Sequence, residues 1–472
     1  MRLNTLLLAT SLALTASVAG QAHAQAPAQT VIPAAAISKV DALRDQALAS
    51  DLGWKITESL TTEVGPRLAG SEADQRAVDW AVAKFRQLGY DKVWTEPVTF
   101  PKWERRGETA DVLGAHAQHL TLAALGGSPG GTIEGEVVRF ADLDALKAAP
   151  DGSLAGKIVF VDYRMKKARD GSDYRNGGGI RGRGPSLAIH KGAAAFLMRS
   201  AGTDETRSAH TGMTRFEEGL TPIPSAALAT VDAEQLTRLV ALGKTRLRVA
   251  LDCGWDGEYT SQNVIGEITG SSKPDEIVLI GGHLDSWDAG TGAIDDGAGI
   301  GITMATGALI KPLKPARTIR VVAFANEEQG LHGGRAYAEK YAGDVTRHVI
   351  AAESDFGAGR IYGFDISTHD THTAAFQQIA EALAPLGIEA MPGKGDPESD
   401  IGIMASRGMA WGWLGHDGSD YFDLHHTSED TLDKIDPKAL AQNVAAYAVF
   451  TYLAAQANGD FGSMPKAETT EH

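Results

Sequence analysis

Acidic and imidazole side chains follow three short apolar stretches in the second half of the chain. Two carboxylates about 4 Å apart repel each other by roughly 1 to 4 kcal/mol, so a cluster of them needs protons or cations. Each acid alone would be interpreted as a solvated strand end, but the set with imidazoles favours a metal site. The stretches and the groups after them are residues 277–282 with His283 and Asp285, residues 319–324 with Glu327 and Glu328, and residues 348–352 with Asp355.

The spacing within these groups indicates metal-assisted hydrolysis. His283 and Asp285 are two residues apart on an extended segment, so both side chains point to one side. Asp285 can therefore approach the free ring nitrogen of a metal-bound His283 and raise its basicity. Adjacent Glu327 and Glu328 point in different directions, so one can bind metal while the other handles a proton.

Further candidate ligands come from two other segments. Asp295 and Asp296 lie in the turn after the first stretch, and His425 and His426 lie in a late loop. A set of imidazoles and carboxylates without a thiolate suits Zn²⁺, with Mn²⁺ or Co²⁺ as alternative occupants.

The order of predicted elements brings these residues to one edge of a sheet. Short apolar stretches between helical patterns are typical of buried parallel strands, and ligands bind beyond the carboxyl ends of such strands. The sequence predicts an α/β fold with a mostly parallel central sheet flanked by helices, and a smaller β-rich inserted domain. It also predicts short strands from residue 92 to about 125, strands over 400–404 and 409–414, and a loop over 177–184. That glycine-rich loop lacks the Gly-Lys-Ser/Thr ending of a phosphate cradle.

The chain divides into five predicted segments. Residues 1–24 form a signal peptide, since Arg2 precedes an apolar stretch and Ala22-His23-Ala24 is a cleavage site that ends at Ala24. We therefore expect a periplasmic or secreted protein without a membrane anchor after the signal is removed. The other segments are a discontinuous catalytic domain over 37–128 and 255–458, an inserted domain over 129–254, and a disordered tail over 459–472.

Composition excludes some functions. A formal net charge of -16 argues against binding to nucleic acid or to anionic membranes. Cys253 is the only cysteine, so no disulfide forms within the chain, and it is interpreted as a packed thiol.

These residues together resemble the co-catalytic zinc exopeptidases of peptidase family M28. The resemblance rests on His283-x-Asp285, Asp295-Asp296, Glu327-Glu328, Asp355 and His426, with residues 65–71 similar to a common stretch of the family. Within the family the chain is most similar to the plasma glutamate carboxypeptidase branch. Residues 129–254 resemble the protease-associated domain that is often inserted in such enzymes.

The resemblance implies two zinc ions per chain and a role for each residue. Asp295 would bridge the ions, and Glu327 would act first as general base and then as general acid. A cis peptide bond between Asp295 and Asp296 is also implied. The remaining roles are His283 and Asp355 at one zinc, Glu328 and His426 at the other, and Tyr421 and His425 as oxyanion donors or, equally, as packing or gating residues.

The expected function is hydrolysis of short peptides, dipeptides among them, in either the aminopeptidase or the carboxypeptidase direction. The loop over 415–424 contains no Arg or Lys, which argues against a pocket for an acidic side chain, and separate basic residues such as Arg360 or Arg407 are candidates to reach a substrate carboxylate. Two alternatives stay open: an inactive receptor or scaffold with the same fold, and a single-zinc acyltransferase similar to glutaminyl cyclases. A homodimer is likewise left open.

Overall fold

The computed structural model describes residues 29–466, and the predicted signal peptide lies outside them. The helices are α1 Ala34–Leu48, α2 Leu52–Glu63, α3 Glu72–Gln87, α4 Leu143–Ala148, α5 Tyr174–His190, α6 Thr230–Leu242, α7 Ala298–Ile310, α8 His332–Lys340, α9 Thr373–Leu383, α10 Asp400–Ser406, α11 Tyr421–Leu424 and α12 Pro437–Gln456. The strands are β1 Lys92–Leu113, β2 Gln118–Leu120, β3 Leu122–Ala124, β4 Gly131–Phe140, β5 Ile158–Val161, β6 Ala195–Arg199, β7 Ser225–Leu228, β8 Arg246–Ile268, β9 Lys273–His283, β10 Arg317–Phe324, β11 His348–Glu353, β12 Ile361–Ile366, β13 Glu389–Ala390 and β14 Gly412–His416.

The central part of the large sheet has the order β11-β9-β10-β8. Strands β9, β10 and β11 run parallel, and β8 is antiparallel to β10. Alternate residues of β9 face opposite layers: Val278 and Ile280 belong to the core that includes α7 and α12, whereas Ile277 and Leu279 pack with α8 and α10. Helices therefore cover both faces, which confirms the predicted α/β fold class.

A long antiparallel ribbon continues the sheet into a second lobe. Strands β1 and β8 pair from Lys92 opposite Glu267 to Leu113 opposite Arg246. The prediction of short strands from residue 92 to about 125 is therefore wrong for residues 92–113, whereas the short strands β2 and β3 confirm it for residues 118–124. Mixed polarity arises there because one strand passes from the central sheet into the lobe, with irregular register between Pro101 and Trp103.

The second lobe is built on strands β4, β5, β6 and β7, which run parallel, with β3 antiparallel to β7 at the edge. Strand β4 also pairs with β8, so this sheet is continuous with the central one. Because β3 belongs to it, the sheet of the lobe begins ahead of the predicted boundary at residue 129.

Two local predictions are wrong. The glycine-rich stretch 177–184 lies inside helix α5, where close packing requires small residues: a Cβ on Gly184 would lie 2.4 Å from Phe196 Cζ. Tertiary packing thus overrides the low helix propensity of glycine. Residues 400–404 form helix α10 instead of a strand, since a short apolar run does not distinguish the two.

The beginning of the tail is ordered, which corrects the prediction for residues 459–466. Phe461 is fully buried in the main core, and Ser463 Oγ donates a hydrogen bond to the carbonyl oxygen of His348 over 2.6 Å. The sequence predicted disorder because the residues around Phe461 are polar, yet this one apolar side chain packs into the core. Between residues 29 and 466, no helix is long and apolar enough to cross a membrane.

Replacing Phe461 tests this packing. We expect Phe461→Ala to lower the free energy of unfolding by about 3 kcal/mol, because it leaves a cavity in the core. The control Met464→Ala removes a side chain that is 71% exposed and should change stability by less than about 0.5 kcal/mol. Equal urea midpoints for the wild type and Phe461→Ala would contradict the packing.

Candidate metal centre

The carboxyl ends of the three parallel strands carry the predicted ligands. His283 ends β9, Glu327 and Glu328 follow β10, and Asp355 follows β11. Asp295 comes from the turn before α7 and is 4% exposed, and His283 is 1% exposed. The strand order β11-β9-β10 places the His283 end between the other two ends, so these groups share one edge of the sheet.

The carboxylate of Asp295 lies between two imidazole rings. Its Oδ1 lies 2.9 Å from His283 Nε2, and its Oδ2 lies 3.2 Å from His426 Nε2. Each ring also faces a second carboxylate: His283 Nε2 lies 3.2 Å from Asp355 Oδ1, and His426 Nε2 lies 2.9 Å from Glu328 Oε2. All five predicted ligands are therefore brought together, with Asp295 in the middle.

Backbone carbonyls orient both imidazoles. Nδ1 of His283 lies 3.1 Å from the carbonyl oxygen of Asp285, and Nδ1 of His426 lies 3.3 Å from that of Thr211 in the second lobe. Because a carbonyl only accepts, each Nδ1 carries a proton, and each Nε2 faces the carboxylates, where it would offer its lone pair to a bound cation. Asp295 Oδ2 and Glu328 Oε1 are also buried without a hydrogen-bond partner. This donor set suits a cation.

Asp285 acts differently from the prediction. Its carboxylate Oδ1 lies 3.6 Å from His283 Nδ1, farther than its own backbone oxygen. The carboxylate instead accepts hydrogen bonds from the backbone N–H groups of Glu327 (3.0 Å) and Glu328 (3.4 Å). Asp285 therefore positions the Glu327–Glu328 segment, while its carbonyl orients the imidazole.

The turn that carries Asp295 is locked to the end of β9. The Asp295–Asp296 peptide bond is cis, as the resemblance implies. Asp296 accepts hydrogen bonds from the backbone N–H groups of His283 and Gly299, each over 3.0 Å, so its carboxylate is already used. A Cβ on Gly299 would lie 1.9 Å from the carbonyl oxygen of Ser354, so only glycine fits there.

Two buried charged residues hold the outer side of this turn. The backbone N–H groups of Ala293 and Ile294 both donate to Asp430 Oδ1 over 2.7 Å. Arg67, within the stretch 65–71 that supports the family resemblance, was missed as a functional residue because a sequence shows no carbonyl partners. Its guanidinium donates to the backbone oxygens of Leu284, Thr291 and Gly292.

A cavity of about 290 Å³ opens beside the five ligands. The sequence did not indicate the contribution of Tyr174, Arg181, Met213, Glu398 or Ser399. The lining residues are Tyr174, Arg181, Met213, Asp295, Glu327, Glu328, Asp355, Phe356, Glu398, Ser399, Tyr421, Phe422, His425 and His426.

Three of the predicted catalytic or substrate-binding residues, Glu327, Tyr421 and His425, line this cavity. The ring of His425 stacks on that of His426 with ring centroids 3.5 Å apart. The centroid of the Tyr421 ring lies 5.0 Å from that of His425.

Neither predicted substrate-binding arginine lines this cavity, which corrects the sequence-based expectation. Arg360 lies in a separate groove beside α12. Arg407 donates to the carbonyl oxygen of Ala338 in α8. The sequence shows that both are basic but not where the fold places them.

Comparisons with known proteins identify the family. A model of peptidase family M28 matches residues 263–451. Carboxypeptidase Q of Mus musculus is 32% identical over 402 residues, covering 84% of each chain. The chain belongs to peptidase family M28. This confirms the prediction of an M28 metallopeptidase related to the plasma glutamate carboxypeptidases.

Solved structures agree with the M28 fold. A peptidase M28 precursor from Shewanella amazonensis is 47% identical with a TM-score of 0.88, covering 92% of this chain and 99% of that one. A zinc aminopeptidase from Bacillus subtilis is 22% identical with a TM-score of 0.61, covering 84% and 94%, and shows similarity of fold alone.

The acidic groups of this M28 centre are electrostatically crowded. Burial, together with the Asp355 carboxylate, raises the pKa of Glu327 well above its ordinary value. Burial also raises the pKa of Asp400 to about 8. Asp295 is the exception: burial alone would raise its pKa, but the hydrogen bond from His283 and the facing His426 imidazole hold that pKa well below the usual range. The central carboxylate is therefore ionised even where its neighbours favour protons.

Arg67 offers a test of the turn. We expect Arg67→Met to lower the free energy of unfolding by about 3–5 kcal/mol, because it removes the donors of buried carbonyls. Arg67→Lys should also be strongly destabilised, since one ammonium cannot replace the planar guanidinium fork. The control Arg76→Met changes an exposed residue of α3 and should unfold like the wild type. Wild-type urea midpoints for both Arg67 variants would contradict this role.

Proposed function

We propose that this M28 peptidase is an exported di-zinc exopeptidase that hydrolyses short peptides, dipeptides among them. The observation that carries the proposal is the Asp295 carboxylate, whose two oxygens face different imidazoles, each of which also faces a second carboxylate. A carboxylate with one oxygen in each of two donor sets is suited to bridging two cations. Cations would also neutralise the crowd of buried acids at this edge.

Two donor sets follow from the contacts. Asp295, His283 and Asp355 would hold one zinc, and Asp295, Glu328 and His426 would hold the other. The fit rests on the nitrogen and oxygen donors and on the buried oxygens of Asp295 and Glu328 that have no hydrogen-bond partner. Mn²⁺ or Co²⁺ are alternative occupants of the same donors.

The chemistry divides between the metals and Glu327. Bound zinc would supply Lewis acidity, which strongly lowers the pKa of a bound water toward about 7 and polarises a carbonyl. Glu327 lines the cavity and remains outside the two donor sets. Its carboxylate takes the proton of the attacking water and then delivers that proton to the leaving amine. The Asp285 carboxylate keeps Glu327 in place by accepting a hydrogen bond from the backbone N–H of Glu327.

Two further residues, Tyr421 and His425, would stabilise negative charge on the substrate oxygen. Burial raises the pKa of Tyr421 well above its ordinary value, so its hydroxyl stays protonated and able to donate. Burial, with the neighbouring His426, lowers the pKa of His425, so this ring is neutral. His425 Nδ1 is buried without a partner, which leaves it available to a ligand.

The size of the cavity favours small substrates. Its volume of about 290 Å³ lies just below the range for small-molecule pockets, roughly 300–1,000 Å³. Tyr174, Arg181 and Met213 of the second lobe form part of its wall. A short peptide fits such an enclosure better than a loop of a folded protein. The export part of the proposal rests on the signal peptide alone, and a mature N-terminus near Gln25 would support it.

A panel of dipeptides with free or blocked termini tests the proposal. The purified protein should release amino acids from free dipeptides, lose this activity with a chelator, and contain two zinc ions per chain. An inactive protein with two zinc ions would favour the scaffold alternative. One zinc ion with cyclisation of an N-terminal glutamine would favour the acyltransferase alternative.

The role of Glu327 can be separated from metal binding. We expect Glu327→Gln to keep both metals and to lower kcat by about 10²- to 10⁴-fold, because the amide cannot accept the proton of water. Glu339→Gln, at an exposed position of α8, serves as the matched control and should turn over normally. Near-normal turnover by Glu327→Gln with full metal content would remove the assigned role.

Asp285 can be tested by metal titration. We expect Asp285→Ala to fold and to lose about 10- to 100-fold in zinc affinity or activity, because the Glu327–Glu328 backbone loses its acceptor. Asp288→Ala removes a nearby carboxylate that pairs with Arg105 instead, and should titrate like the wild type. An unchanged zinc titration for Asp285→Ala would argue against the positioning role.

A further inference from the structure

One cationic side chain lines a cavity whose other ionised groups are mainly carboxylates. Among the described residues that line it, Arg181 is the only arginine or lysine. Arg181 lies on helix α5 of the second lobe, one helical heptad after Tyr174, which also lines the cavity. Residues seven apart lie on nearly the same helix face, so the helix presents both to the site.

The guanidinium of Arg181 has spare hydrogen-bonding capacity. Its Nε and Nη1 donate to the backbone oxygens of Met213 and Thr211, each over 3.3 Å. No Asp or Glu within residues 29–466 lies within 4.0 Å of it. A guanidinium has five N–H donors, and a half-buried one without an acid partner gains from binding an anion.

The position of Arg181 relates it to the reacting centre. Its guanidinium lies 5.4 Å from the ring centroid of Tyr174, and that ring lies 5.1 Å from His425. His425 Nε2 in turn lies 3.5 Å from Asp295 Oδ2. Arg181 therefore lies on the side of the site where Asp295 Oδ2 faces His426, and not on the side where Oδ1 faces His283.

We propose that Arg181 binds the free α-carboxylate of the substrate. The enzyme would therefore cleave the peptide bond directly before the C-terminal residue, both in dipeptides and in other short peptides. Arginine and carboxylate match through two parallel N–H···O hydrogen bonds. The acids that line the rest of the cavity repel the substrate α-carboxylate, so Arg181 sets the orientation in which the peptide binds. This inference rests on the proposed peptidase function and assigns its direction.

A purely structural role for Arg181 makes a different prediction. Its two backbone acceptors belong to the segment 211–213, and the Thr211 oxygen also orients His426. If Arg181 only ordered this segment, its loss would impair metal binding and the hydrolysis of every substrate equally. Substrate recognition instead predicts a loss confined to substrates with a free carboxylate.

The experiment compares one dipeptide with its own C-terminal amide. The kcat/KM of both would be measured with zinc-loaded wild type, Arg181→Met and Arg181→Lys, alongside zinc content. Arg183→Met, which changes an exposed arginine of the same helix, is the matched control. We expect the wild type to prefer the free acid by about 10- to 100-fold.

The variants should change kcat/KM for the free acid and for the amide by different factors. Arg181→Met should lower kcat/KM for the free acid by about the same 10- to 100-fold, change the amide by less than about 2-fold and keep its zinc. Arg181→Lys should retain an intermediate preference, because it keeps the charge without the fork. Arg183→Met should match the wild type.

Other outcomes overturn the inference in distinguishable ways. Equal hydrolysis of acid and amide by the wild type would overturn it and leave the peptidase function intact. If Arg181→Met lost its zinc and hydrolysed the acid and the amide equally poorly, Arg181 would have a structural role. Failure of the zinc-loaded wild type to cleave either substrate would instead refute the proposed function itself.

Discussion

The burial of one ionised carboxylate between two imidazoles is the constraint on which this structure depends. Asp295 is held there by its turn, not by its own side chain. Arg67 and Asp430 bind the carbonyls and N–H groups around that turn, and Asp296 connects it to the end of β9. Such an anion is costly in a low-dielectric environment unless opposite charge faces both of its oxygens. The surrounding fold therefore supports a site built for cations.

The second lobe completes this site. The carbonyl oxygen of Thr211 orients His426, and Thr203 of the lobe hydrogen-bonds to Asp423 in α11, just before the two adjacent histidines. The β1–β8 ribbon makes the sheets of the two parts continuous. Ligand orientation and cavity shape thus depend on a part of the chain that carries none of the five predicted ligands.

The strand-end residues could be predicted from the sequence because topology alone places them. Apolar stretches that alternate with helical patterns imply parallel strands, and their carboxyl ends meet at one edge. The contribution of Arg181 could not be predicted, because helix α5 forms against its glycine content through close packing at positions such as Gly184. The acceptor role of Asp285 was also concealed, since side-chain spacing says nothing about which N–H groups a loop presents. Phe461 shows the same limit, because one apolar residue orders a polar segment only once its pocket exists.

The most direct test of the central claim is anomalous diffraction at the zinc edge from crystals of the purified protein. Two peaks should lie on opposite sides of the Asp295 carboxylate, one beside His283 and the other beside His426. A single peak, or none within bonding distance of Asp295 in a zinc-saturated crystal, would contradict a carboxylate-bridged pair of cations.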